Sequence, residues 1–267
     1  MTNLASNNPP KTPKSPKISI LGVNVDDISE KDAIFAILEM AKDRKGHHFV
    51  ATVNSEFVMM AKRDKNFKNV LKSTDLNLPD SAGVVLAKLI LGGKEKSRVT
   101  GTDLIEKLCE KSANLPIRVG FLGGFGQVAA NVAKRQQARF PGLKVAFAAS
   151  GDSTVGHDLK LNHDVFGKKR VGMVFVAYGM GTQEFWISRN KDVINAGVFM
   201  GVGGAFDYKS EAKSRSPLLL QKIGLEWLWR LVQEPQRIWR MRVLPVFVIL
   251  VIWQFLTQNR PVVVKNN

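Results

Sequence analysis

The 267-residue chain contains a single cysteine, Cys109. No internal disulfide can form, and a reducing compartment is the natural setting. The histidines number four, His47, His48, His157 and His163, and none has metal-ligand spacing with Cys109 or a carboxylate. There is no Asp-x-Asp pair for a nucleotide-bound divalent ion. The expectation is therefore a site with no metal and no resident cofactor. The G-x-x-x-x-G-K-[ST] phosphate loop and the G-x-S-x-G nucleophile turn are also missing, which argues against P-loop and serine-nucleophile chemistry. No apolar run reaches the ~20 residues of a membrane span. The N-terminal stretch MTNLASNNPPKTPKSPK lacks the apolar centre of a signal peptide.

What the chain has in excess is positive charge. Thirty-nine Lys and Arg oppose 23 Asp and Glu, a formal charge of +16. Such a balance favours anionic partners: nucleic acid, a lipid surface or phosphorylated substrates. No recognisable nucleic-acid module accompanies the arginines, so a nucleic-acid partner is not expected. Residues 1–16 are polar, basic and Pro-rich, and are expected to be a disordered lead-in. With 45% hydrophobic residues, the remainder can bury a core as one large domain, or as one domain with an appendage.

Strands and helices alternate over residues 17–215. Strands are predicted at Ile18–Val23, His48–Val53, Leu76–Leu78, Ile117–Leu122, Leu143–Ala149, Val171–Ala177 and Val198–Val202. Helices are predicted from Ser29 through Met40 and at Ser55–Ala61, Ser81–Leu91, Thr102–Ala113, Gln127–Phe140 and Thr182–Asn190. Alternation of this kind predicts an α/β fold, a Rossmann-like and mostly parallel sheet flanked by helices.

Composition changes after Arg215. Trp227, Trp229, Trp239 and Trp253 lie beyond it, as do Arg230, Arg237, Arg240 and Arg242. Pro235 is expected to separate two helices and to sit in the first turn of the second. The apolar segment 243–256, VLPVFVILVIWQFL, is 14 residues long. Residues 216–267 are thus read as a helical appendage whose apolar segment lies in a membrane interface, arginines toward lipid phosphates and tryptophans at headgroup depth. A core or subunit-contact helix is one competing reading, and a true span, for which the segment is short, is another.

Ligands of open α/β sheets bind beyond the carboxyl ends of the strands. Thr52 and Asn54 point the same way at one such end. In LNLPDSAGVV, Asp80 stands between a strand and a helix; local sequence leaves open whether it caps the helix or serves as a base. Gly124-Phe125-Gly126-Gln127-Val128-Ala129 has the G-x-G-x-x-A form of a dinucleotide turn, with Gly123 just before it and Asp152 beyond the next strand to hold a ribose. A nicotinamide-dependent oxidoreductase is one reading of that turn. A UDP-sugar enzyme is another, since both ligands carry a pyrophosphate and a ribose. Gln183 and Asp207 follow glycine-rich strand ends, the second of which includes Gly203, and have side chains suited to a base or sugar edge.

The pieces TVNSE, LPDSAG, RVTGTDL, FLGG, GMGTQE, GVGGAFDY, RSP and LEWLWRLVQEPQRIWR, in that order, resemble the WecG/TagA/CpsF glycosyltransferases. The resemblance covers roughly residues 18–242. It implies transfer of a sugar, typically N-acetylmannosamine or its uronic acid, from a UDP donor. The implied acceptor is a polyprenyl-pyrophosphate-linked glycan at the cytoplasmic membrane face, the linkage is made with inversion, and the product is a cell-surface polysaccharide or teichoic acid. Carried over residue by residue, the base falls on Asp80 and its partner on Thr52. The donor contacts fall on Arg98, Gln183 and Asp207. The arginines that close over the site and meet the diphosphate fall on Arg230, Arg237 and Arg240. Family members can self-associate, so a homo-oligomer is a further expectation. The chain departs from the family pattern at Ser81-Ala82, where a glycine is usual, and at Gly181-Thr182, where Pro-Lys is usual.

Overall fold

The central strands are apolar on both faces. In β3 (His48–Val53), Phe49, Ala51 and Val53 join one core cluster and Val50 joins another. In β7 (Val171–Ala177), Val174 and Val176 lie on the first side, with Met173, Phe175 and Ala177 on the second. Side chains alternate along a strand, so apolar residues on both faces demand cover on both. The computed structural model describes residues 15–154, 166, 169–210, 216–217, 220, 226–257 and 263–264. In it, β3 and β7 are joined by β4 (Leu76–Pro79), β5 (Arg118–Gly123), β6 (Lys144–Ala149) and β8 (Ala196–Gly201). The six form a parallel sheet in the order β4-β3-β8-β7-β5-β6. Helices α2 (Ser55–Arg63), α3 (Lys65–Lys72), α4 (Ala82–Ile90) and α7 (Thr182–Asn190) cover the first face. On the second face lie α1 (Glu30–Lys42), α5 (Gly101–Ala113), α6 (Val128–Arg139) and the short α8 (Ala205–Lys209). This is the expected α/β fold, with strand and helix bounds at 48–53, 171–177 and 182–190 as read from sequence.

Two local differences have physical causes. The single strand expected over Ile18–Val23 is a hairpin, β1 (Lys17–Ile20) and β2 (Val23–Asp26). It turns at Leu21 and Gly22, with φ of 49° and 85°, the left-handed pair that a two-residue hairpin needs. Leucine gives no turn signal in sequence. Its conformation is held from far along the chain: the Leu21 N–H donates to Gln254 Oε1 at 2.8 Å, and Gln254 Nε2 donates to the Ser19 carbonyl at 2.9 Å. Helix α3 was also not expected. Asp64 starts it by accepting the Asn66 and Phe67 N–H groups on Oδ1, at 2.8 and 3.2 Å.

The tail expected over residues 1–16 lies outside the described residues up to residue 14. Ser15 is packed in, its hydroxyl donating to buried Asp26 at 2.5 Å. Toward the C-terminus, α9 (Glu226–Gln233) stops at Glu234. A 3₁₀ turn (Pro235–Arg237) and α10 (Ile238–Met241) follow, so the break falls at Pro235 as expected. Helix α11 (Val243–Thr257) takes up the apolar segment. Pro245 sits in its first turn, where no intrahelical N–H is required. Phe247, Val251 and Gln254 are buried, while Val248, Ile249, Ile252, Trp253, Phe255 and Leu256 face outward. One stripe of α11 is thus core, packed on α2 and α4, and the rest is an exposed apolar face. The pair Val263–Val264 (β9) adds an antiparallel strand to β1. Among the described residues, no helix is long and apolar enough to cross a membrane.

Candidate active site

The sheet order sets the candidate residues in a row along the carboxyl edge. The end of β4 carries Asp80, β3 carries Thr52 and Asn54, β8 leads to Gly203 and Asp207, β7 leads to Gln183, and β5 ends in Gly123. From β5 the chain goes outward to β6, and from β7 it goes the opposite way to β8. Such a divergence makes the carboxyl edge between β5 and β7 a topological switch point, the place where open α/β sheets bind ligands.

Asp80 does not cap the helix that follows it. Ser81 does, accepting the Val84 N–H on its hydroxyl at 3.3 Å. The Asp80 carboxylate instead accepts the Gly101 N–H, the first of α5, on Oδ1 at 3.1 Å. Its own N–H donates to the Val53 carbonyl at 2.9 Å, and the Val99 N–H donates to the Pro79 carbonyl at 2.8 Å. A helix start outside its own strand–helix unit therefore holds a half-buried carboxylate at the sheet edge. The same Val99 contact brings the Arg98-Val99-Thr100-Gly101 segment to the end of β4. Arg98 is half-buried there. Thr100 caps α5, its hydroxyl accepting the Asp103 N–H at 3.1 Å.

Thr52 is buried, and its hydroxyl donates to the Gly201 carbonyl at 3.0 Å, tying β3 to the end of β8. Asn54 caps α2 by accepting the Phe57 N–H at 3.1 Å. Both expected residues thus have structural partners at the edge. A Cβ built on Gly83 would stand 2.8 Å from Ser55 Oγ and 3.8 Å from the Phe247 ring. The first turn of α4, three residues past Asp80, therefore abuts both α2 and the apolar C-terminal helix.

At the end of β5 the expected strand–turn–helix is present. Gly123 has φ 109°, and a Cβ there would lie 2.6 Å from the Ala177 carbonyl carbon and oxygen. Only glycine fits so close an approach at that angle. The Gly124 N–H donates to the Ala177 carbonyl at 3.1 Å, closing the turn onto β7. Asp152 stands three residues past the end of β6, and its Oδ1 accepts the Thr154 N–H at 2.8 Å.

The turns after β7 and β8 are joined by buried side chains. Gln183, 1% exposed, accepts the Gly203 N–H on Oε1 at 2.9 Å and donates from Nε2 to Glu184 Oε1 at 2.7 Å. Glu184 Oε2 accepts the Gly181 N–H at 2.7 Å. Burial pushes the Glu184 carboxyl up to about 7, although the bonds from Gln183 and Gly181 pull the other way. Glu184 is not among the residues expected from sequence. The available signal was its place at the third residue of α7, where a carboxylate reaches back to the start of the helix. Asp207 lies half-buried on α8. Arg230, Arg237 and Arg240 fall on α9, the 3₁₀ turn and α10, but their side chains lie outside the described residues.

This edge and its order of motifs can be set beside known proteins. The model of the glycosyl transferase WecG/TagA/CpsF family matches residues 18–261. The chain belongs to this family. That match takes in all the candidate residues and the whole of α11. Among similar relatives is the N-acetylglucosaminyldiphosphoundecaprenol N-acetyl-beta-D-mannosaminyltransferase of Bacillus spizizenii strain W23, 33% identical over 79% of this chain and 80% of its own length. The Bacillus subtilis strain 168 enzyme of the same name is 29% identical over 79% of this chain and 81% of its own length. That of Staphylococcus aureus strain MW2 is 27% identical over 86% and 90%.

Proposed function

We propose that this member of the family is an inverting glycosyltransferase. It moves N-acetylmannosamine, its uronic acid or a related hexose from a UDP-sugar to a polyprenyl-diphosphate-linked glycan in cell-envelope polymer synthesis. The family match over residues 18–261 carries the reading, because relatives across that span are named for mannosaminyl transfer to a diphosphoundecaprenol-linked sugar. It also weighs against the nicotinamide reading of the Gly124–Ala129 turn.

In this reading Asp80 takes the proton from the attacking acceptor hydroxyl, and the Gly101 N–H orients the carboxylate for that task. Ser81 supports the role by taking over the capping of α4. Thr52 supports the base from the next strand. Arg98 meets the departing diphosphate, joined by Arg230, Arg237 and Arg240, since a guanidinium fork suits phosphate oxygens. Asn54, Gly123, Gly124, Gln183, Gly203 and Asp207 line the donor side. The outward face of α11 lies on the cytoplasmic leaflet, with Arg242 stacked 3.6 Å over the Trp239 ring just before it. Because Phe247 on α11 abuts Gly83, that leaflet would lie beside the base, where a lipid-linked acceptor must arrive.

The test is transfer from UDP-N-acetylmannosamine to a short-chain polyprenyl-diphosphate N-acetylglucosamine. Asp80→Asn should still accept the Gly101 N–H, fold and bind UDP, yet lose transfer by about 10²- to 10⁴-fold. Near-normal transfer by that variant would sink the assignment of the base.

A further inference from the structure

A carboxyl group with 0% exposure is costly to keep in a fold, and the partners that the structure gives Glu184 are an amide and a backbone N–H rather than a cation. An apolar residue would pack there at lower cost. The geometry suggests what Glu184 is for. Both carboxyl oxygens of Glu184 accept from N–H donors, whereas the Gln183 amide has a donating and an accepting end. With Glu184 Oε1 taking the Nε2 hydrogen, the amide has one orientation, and Oε1 of Gln183 faces the Gly203 N–H. The backbone of β8 is fitted to this pair: a Cβ on Gly201 would stand 2.6 Å from Glu184 Oε1 and 2.8 Å from Gln183 Nε2.

We propose that Glu184 is a positioning residue for the transfer reaction. Acting through Gln183, it sets the turn Val202–Gly204, and Asp207 just beyond it, in register with the turn Tyr178–Gly181. The chain of contacts runs from the Gly181 N–H to Glu184, from the Gln183 amide to Glu184, and from the Gly203 N–H to Gln183. It links two strand ends on which the donor side is built. Glu184→Gln breaks the chain without changing its size. The new amide presents an NH2 to one of two existing donors, Gly181 N–H or Gln183 Nε2. The inference rests on the glycosyl-transfer reading, in which Gln183 and Asp207 contact the donor.

The experiment compares Glu184→Gln, Gln183→Ala and the double variant in the full-length protein. Donor and acceptor kinetics are measured with UDP-N-acetylmannosamine and the short-chain lipid-linked acceptor. Amide hydrogen exchange at Gly203 is measured alongside. Glu184→Gln should reduce kcat/KM for the donor by about 10- to 100-fold and leave the acceptor KM unchanged. Gly203 should lose protection, and the double variant should be no worse than Gln183→Ala alone. Wild-type donor kinetics, losses that multiply in the double variant, or unchanged Gly203 protection would each overturn the proposal. Should Glu184→Gln not fold, Glu184→Asp takes its place with the same expectations, its carboxylate being too short for both bonds. A wild-type protein that transfers nothing would defeat the glycosyl-transfer reading instead, while Gly203 exchange still decides the positioning role.

Discussion

Glu184 carries a stability signature that is separate from catalysis. Burial raises its carboxyl from 4.5 to about 7 in the folded protein. A folded value above the unfolded one means that protonation favours the folded state. Its contribution is full below about 4.5 and is lost as pH rises to about 7, on the order of 3 kcal/mol. His48 works in the same direction: its bond to Asp75, and a second to Asp43, raise it against the effect of burial. Urea melts across a pH series should therefore show stability falling toward neutrality in wild type, with a flatter profile in Glu184→Gln. An unchanged slope in the variant would rule out Glu184 as its source. Asp80 shows how far single residues were readable. The motif marked it, but local sequence left cap and base equal. The Ser81 bond to Val84 gives the cap of α4 to Ser81, and the Gly101 N–H holds the Asp80 carboxylate instead, which leaves the base as the proposed role.

At the scale of elements, α11 is the most informative. Its sequence is apolar nearly all round, so periodicity gives no inward face. Packing supplies one: Phe247 and Val251 enter the core, and Gln254 pairs with the hairpin turn. Phe247→Ala should lower stability by about 3–5 kcal/mol. Ile249→Glu and Trp253→Glu, on the outward face, should leave the melting temperature nearly unchanged and reduce pelleting with anionic vesicles. A Phe247→Ala variant that melts like wild type would contradict the core role, and outward variants that pellet normally would contradict the lipid role. Cutting the chain at residue 216 would remove the core contacts of the helix and its proposed lipid face at once, which makes point variants the cleaner test. Helix α3 and β2 were missed for a related reason. A one-residue break at Asp64 and a Leu21-Gly22 turn carry weak sequence signals, and tertiary partners complete them.

For the whole molecule, the excess of positive charge is the dominant physical fact. A formal charge of +16 should add a long-range attraction to anionic lipid on top of the apolar contact proposed for α11. Vesicle binding should therefore weaken several-fold as salt is raised past ~0.1 M, where screening acts within about 10 Å. The Ile249→Glu and Trp253→Glu proteins should retain only the salt-sensitive part. Binding by wild type that is indifferent to salt would show that charge plays no part. The alternation of strands and helices made the α/β class legible, because two covered faces need apolar runs that turn signals interrupt. Strand order was not legible, since parallel crossovers leave no mark on local composition.

The sequence by itself determined the α/β class, the absence of an internal disulfide, the strand ends at which Asp80, Thr52, Gln183 and Asp207 fall, and the order of motifs that marks the family. These depend on periodicity, turn residues and spacing, all of which are local. The tertiary structure decided which strands are neighbours, that Ser81 rather than Asp80 caps α4, that Glu184 joins two turns from a buried position, and that α11 has an inner face. Beside local bonds such as Ser81 to Val84, these arrangements need partners distant along the chain: Gly101 for Asp80, Gly203 for Gln183, Leu21 for Gln254. A hydrogen bond between residues far apart in sequence is chosen by the fold as a whole.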